Sequence, residues 1–129
     1  MPRTRVSTGT EWESAVGYSR AVRVGDRVVV AGTTATDDGG DLVGHGDPYE
    51  QTMQAFRNVR AALTEADASV DDVVRTRMFV SDADDWEAVG SAHHEFFADV
   101  KPAATMVEVA GFVDDAMLVE VEAEAVVDG

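Results

Sequence analysis

The stretch "AMLVEVEAEAVV", Ala116 to Val127, alternates apolar and acidic residues almost without a break. In an extended chain Met117, Val119, Val121, Ala123 and Ala125 fall on one side, and Glu120, Glu122 and Glu124 on the other. This period of two predicts a β-strand that gives one face to a core and turns the other away from it. What covers the first face, and what meets the carboxylates on the second, sets the rest of the reading.

Upstream, "VVRTRMFVSD" from Val73 repeats the pattern, with Val74, Thr76, Met78 and Val80 on one face and Arg75, Arg77 and Phe79 on the other. A helix is predicted to start near Asp82 to Asp85, whose carboxylates suit a helix N-terminus. Its apolar stripe is Trp86, Val89, His93, Phe96 and Phe97. Pro102 stops that helix and opens another strand in "KPAATMVEVAG", Lys101 to Gly111. That strand begins on the small residues Ala103, Ala104 and Thr105, which leave room for a ligand or simply leave space.

Nearer the N-terminus, "YSRAVRVG" and "RVVVAGTTA" flank Gly25 and Asp26 and predict a hairpin. "TDDGGDLVGHG" is a loop by composition. Asp47 can cap a helix, Pro48 suits its first turn, and Glu50 can reach back to complete a capping box. Met53, Phe56, Val59 or Arg60, and Leu63 follow at helical spacing, predicting a helix to about Ala66. The order strand, strand, helix, strand, helix, strand, strand describes an α+β domain in which two helices cover one face of a mixed sheet. An open face carrying Arg75, Arg77, Glu120 and Glu122 suits packing against further copies of the chain.

A chain of 129 residues fits one domain. Cysteine is absent, which excludes disulfides, thiolate metal sites and a cysteine nucleophile. No apolar window has signal-peptide or membrane-spanning character, so a cytoplasmic location is expected. With 25 acidic against 10 basic residues the net charge is −15, which makes nucleic acid a poor partner. Lys101 is the one lysine, and the acidic excess reads as a halophilic surface suited to high internal salt or as that of an ordinary acidic enzyme.

Glu120, Glu122 and Glu124 form the most conspicuous polar constellation, with side chains roughly 7 Å apart along the strand. They read either as an ion-paired interface with Arg75 and Arg77 or as a catalytic carboxylate, Glu120, with its neighbours. His93 lies on the apolar stripe and His94 turns about 100° away, so the pair cannot converge on one metal; His45 has no partner at useful spacing. His93 therefore reads as a packing residue or a site residue, and no metal is expected. Tyr18 and Arg20 share a strand face, where the arginine can pair with nearby acids or grip a ligand carboxylate. The glycines follow no nucleotide-binding spacing.

Taken together, "VGYSRAVRVG", "VVVAGTTATD", "VVRTRMFVSDADDWEAV", "PAATMVEVA" and "LVEVEAEAV" resemble the reactive-intermediate deaminase (Rid, YjgF-like) family from about Val16 to Val127. The resemblance implies a chorismate-mutase-like fold, assembled as a homotrimer with pockets between subunits. It also implies cofactor-free hydrolysis of 2-imino acids, released by pyridoxal-phosphate enzymes, to 2-oxo acids and ammonia. On this mapping Tyr18 is the pocket tyrosine, Gly32 lines the floor, and Glu120 positions the attacking water. Thr33, Thr105 and Arg77 join them as substrate-binding candidates.

The imine-hydrolysing branch reads Pro-Ala-Arg where this chain has Pro102, Ala103 and Ala104, and Met106 stands at the family's usual cysteine. Losing that guanidinium removes an interaction of about 1.5 to 3 kcal/mol, or roughly ten- to more than a hundredfold in binding. Arg20, which is not a standard family residue, is the candidate for a relocated anchor. The expected function is hydrolysis of an imine, enamine or related C–N bond of a small metabolite. A non-catalytic trimeric module binding a small ligand is the alternative.

Overall fold

The computed structural model describes residues 2–128. Nine main elements follow one another as β1 (Arg3–Val6), α1 (Glu11–Val16), β2 (Ala21–Val24), β3 (Arg27–Thr33), α2 (Pro48–Glu65), β4 (Val73–Val80), α3 (Trp86–Phe97), β5 (Ala103–Glu108) and β6 (Val119–Val126). The strands form one six-stranded sheet in the order β1-β2-β3-β6-β4-β5. β6 therefore lies inside the sheet, between β3 and β4. The sheet is mixed: β4 and β5 run parallel, joined by the crossover through α3, and the other pairs are antiparallel.

The alternation of β6 is realised as read. Val119, Val121, Ala123 and Ala125 are fully buried, while Glu120, Glu122 and Glu124 stand partly exposed on the other face. Met117 lies ahead of the strand in a turn closed by its N–H donating to Asp114 O at 3.0 Å. The buried face meets α2 and α3 through Phe56, Val59, Leu63, Val89 and Phe97. Val59, not Arg60, completes the α2 stripe; Arg60 is exposed and Met53 half-buried. In α3 the packed stripe begins at Val89, because Trp86, the first helical residue, stays 59% exposed.

The α2 cap is half of the expected box. Asp47 accepts from Glu50 N at 3.1 Å, but the Asp47 N–H is already engaged by Gly44 O at 2.9 Å, so the glutamate has no donor to return to. Gly25 at φ 60° turns the β2–β3 hairpin. On β4 the register slips between Val73 and Arg75, which buries Val73 and pushes Val74 out of the expected core row.

Two elements go beyond the expected order. β1 carries a single buried residue, Val6, and owes its strand conformation to pairing with β2. α1 is held by Thr10, whose hydroxyl accepts from Glu13 N, and ends at Gly17 with φ 90°. Strand β2 begins at Ala21, later than the Tyr18 start expected, although Arg20 already donates its N–H to Val6 O at 2.8 Å. Among the described residues, no helix is long and apolar enough to cross a membrane.

Candidate functional site

The site grows from an irregularity in β3. Val30 pairs with Ala123 but Thr33 pairs with Val121, so Ala31 and Gly32 together oppose one residue of β6. A bulge of this kind re-aims the chain locally. Here it brings the backbone of Gly32 beneath Glu120. A Cβ placed on Gly32 would stand 2.8 Å from Glu120 Oε2 and 3.0 Å from its Cδ, so the carboxylate occupies the room that only glycine leaves.

Arg20 reaches the same point from the other side. Its Nη2 donates to Gly32 O at 2.7 Å, and its guanidinium carbon lies 5.6 Å from the centroid of the Tyr18 ring, within cation–π range. Its Nε is buried and has no hydrogen-bond partner among the described residues. Tyr18, Arg20, Gly32 and Glu120 are thus gathered at one place on the uncovered sheet face. Tyr18 and Arg20 meet there through a loop approach to β2 and not as neighbours on a regular strand. Burial pushes the Glu120 carboxyl above the ordinary carboxylate range; Arg20 opposes that shift and Glu122 adds to it.

The other candidates are distributed differently. Thr33 is buried and its hydroxyl donates to Ala31 O at 2.7 Å, which turns it into the bulge and away from the open face. Arg77 lies further along that face, with its Nη1 3.3 Å from Glu122 Oε1. Thr105 is its register partner on β5. A hollow of about 110 Å³ opens here, lined by Val29, Ala31, Arg75, Arg77, Glu122 and Glu124. The residue across from Glu120 on β4 is Phe79.

Ala104 is not part of this cluster within one chain. Its register partner is Thr76, a buried residue of the helix-covered face, so Ala104 projects to the side opposite Glu120 at the exposed edge of the sheet. Thr76 Oγ1 lies 2.8 Å from His93 Nε2. The His93 ring packs 4.6 Å from Phe97 and 5.5 Å from Phe56, and burial, then His94, lowers its basicity. His93 is therefore a packing histidine. Among the described residues no three or more His, Asp or Glu side chains are grouped to hold a metal ion.

Sequence reasoning reached the four gathered residues but not the link between them. The backbone of Gly32, which no side-chain pattern displays, is the link: its carbonyl accepts from Arg20, and the space beside its Cα holds the Glu120 carboxylate. A glycine inside the β-branched run "VVVAGTT" was the available signal for a bulge or close approach.

Comparison with known proteins bears on the fold and the family. The family model described as Endoribonuclease L-PSP matches residues 8–127. Rv2704 of Mycobacterium tuberculosis, a member of the YjgF/YER057c/UK114 family, superposes with a TM-score of 0.89 at 48% identity, covering 98% of this chain and 100% of its own. SCO2049 of Streptomyces coelicolor is 48% identical over 121 residues, 94% of this chain and 90% of that protein. The 2-iminobutanoate/2-iminopropanoate deaminase of Salmonella typhimurium is 33% identical over 117 residues, 88% of this chain and 90% of the enzyme. With its mixed sheet, its helix-covered face and nearly its whole length matched, the chain belongs to the YjgF/Rid family.

Proposed function

We propose that this protein hydrolyses a labile C=N bond in a small metabolite, with Glu120 as the general base. The observation that carries this reading is the half-buried Glu120 carboxylate seated on Gly32 beside the Arg20 guanidinium. Such a carboxylate can hold a water and take its proton as the oxygen adds to the imine carbon. The carbinolamine that forms then expels ammonia and leaves a carbonyl. Water is the one co-reactant needed for this balance. An enamine enters the same route after protonation at carbon.

The pocket is completed, on this reading, by further copies in a homotrimer, where Ala104 of one subunit faces the Glu120 cluster of another. Because Ala104 offers only a methyl group, an anionic substrate must find its cation elsewhere. Arg20 Nη1 has no hydrogen-bond partner among the described residues and is the first candidate; Arg77, shared with Glu122, is the second. The deaminase name of the Salmonella relative supports the reaction class. A net charge of −15 opposes action on RNA, whatever the family description says.

Ala104 also favours a second reading, a trimeric module that binds a small ligand without turnover. The two separate in one assay: ammonia release from freshly generated 2-iminopropionate. Release that Glu120→Gln abolishes supports the hydrolase and rejects the binding module. No release, with small carboxylates still bound, rejects the hydrolase. Arg20→Ala tests the anchor, since unchanged ligand affinity would move that role to Arg77.

A further inference from the structure

Gly32 serves two charged groups at once. Its carbonyl accepts from Arg20 Nη2 at 2.7 Å, and the space above its Cα is filled by the Glu120 carboxylate. The charges approach each other across the glycine: no Arg20–Glu120 salt bridge within 4.0 Å occurs among the described residues, where the ion pairs are Arg27–Glu124 and Arg77–Glu122. The other groups facing Glu120 do not replace this cation. Glu122, two residues along β6, repels it, and Arg77 on β4 is engaged by Glu122. Phe79, the cross-strand neighbour, brings no charge, and Tyr18 lies against the guanidinium.

Arg20 is also fixed more firmly than a surface arginine. One nitrogen is bound, a second is buried without a partner, and an aromatic ring lies beside it. A buried unpaired N–H is costly, so Arg20 is held in place by its remaining contacts.

We propose that Arg20 is a positioning residue for Glu120: clamped to the Gly32 carbonyl, its fixed charge holds the half-buried carboxylate over the bulge and favours its charged form. This rests on the reading of Glu120 as the site's base but not on the identity of any substrate. Tuning and anchoring use different edges of one guanidinium, because Nη1 remains for a ligand.

The test is a carbon-13 NMR titration of the full chain labelled at its glutamate carboxyls, with the Glu120 resonance identified by its loss in Glu120→Gln. In Arg20→Gln the Glu120 midpoint rises, and in Arg20→Lys it returns close to the wild-type position. An unchanged midpoint in folded Arg20→Gln overturns the proposal. If that variant does not fold, the wild type decides. Its Arg20 Nε resonance shifts with the Glu120 midpoint and becomes flat in Glu120→Gln, whereas a resonance already flat in the wild type overturns the proposal. Coupling without ammonia release would sink the hydrolase reading alone, and ammonia release without coupling would sink this one alone.

Discussion

At the scale of single residues, Gly32 is where one methyl group has the most leverage. Its backbone is not in the left-handed region, so Gly32→Ala adds no backbone strain, and the atoms in the way belong to the flexible end of Glu120. The expected result is a folded protein, with its melting temperature lowered by only a few degrees, whose carboxylate has swung off the bulge. Ammonia release or ligand binding should fall at least about tenfold, the scale of one lost charge-assisted contact. A melting curve and the imine assay together check this; full activity in Gly32→Ala would mean that the seat on Gly32 is incidental.

Glu120 itself makes a pH prediction. Its folded-state carboxyl titrates above the unfolded value of roughly 4.3. A base must be ionised, so activity is lost as pH falls through that raised midpoint. For stability the sign is reversed: the native state binds this proton more tightly than the unfolded chain, so the ionised carboxylate weakens the fold at neutral pH. Glu120→Gln is therefore expected to melt higher than the wild type at pH 7. The difference disappears as pH falls below the unfolded value, and a lower melting temperature at pH 7 would contradict the assignment.

At the scale of elements, α3 is fastened to β4 by a polar contact inside an apolar cluster. Thr76 is fully buried and meets His93 Nε2 at 2.8 Å between Phe56 and Phe97. Thr76→Val keeps the shape but leaves the imidazole without its partner, at a cost of about 1 to 3 kcal/mol, to be read from denaturant unfolding. The His93 titration is displaced downward by burial, and then by His94. Its contribution is complete above the unfolded value of roughly 6.5 and is lost as pH falls through the lower folded value. His93→Gln should flatten that part of the stability profile between neutral and mildly acidic pH.

Much of each element was legible from local pattern. The alternation of β6, the Asp47 cap, the Gly25 turn and the spacing of Phe56, Val59 and Leu63 act over a few residues, and they were read correctly for that reason. β1 escaped because "RTRV" has no pattern of its own and becomes a strand only by pairing with β2. The exposure of Val74 escaped because a bulge shifts its face, and a one-residue slip in pairing leaves no mark on composition.

At the scale of the whole molecule, the open face and the charge make opposing demands. Val29 and Val74 stand exposed beside Arg75, Arg77 and the three strand glutamates, a surface suited to burial between copies. Every added copy, however, brings a further net charge of −15. Sedimentation equilibrium should find three times the chain mass, with association strengthening as sodium chloride rises from low to about 1 M, where the Debye length is about 3 Å. Arg77→Glu should weaken assembly by setting like charges beside Glu122. A monomer at all salt concentrations would remove the shared pocket on which the Ala104 argument depends.

By itself the sequence determined the strand and helix periods, the half-covered sheet, the acidic surface and the family, because these reside in residue types and short spacings. Only the tertiary structure decided that Ala104 and Glu120 lie on opposite faces of one chain, that Thr33 turns inward, and that Arg20 and Glu120 meet across Gly32. Those facts depend on strand register and a bulge, which are set by pairing between segments about ninety positions apart and by a backbone carbonyl that every residue carries alike.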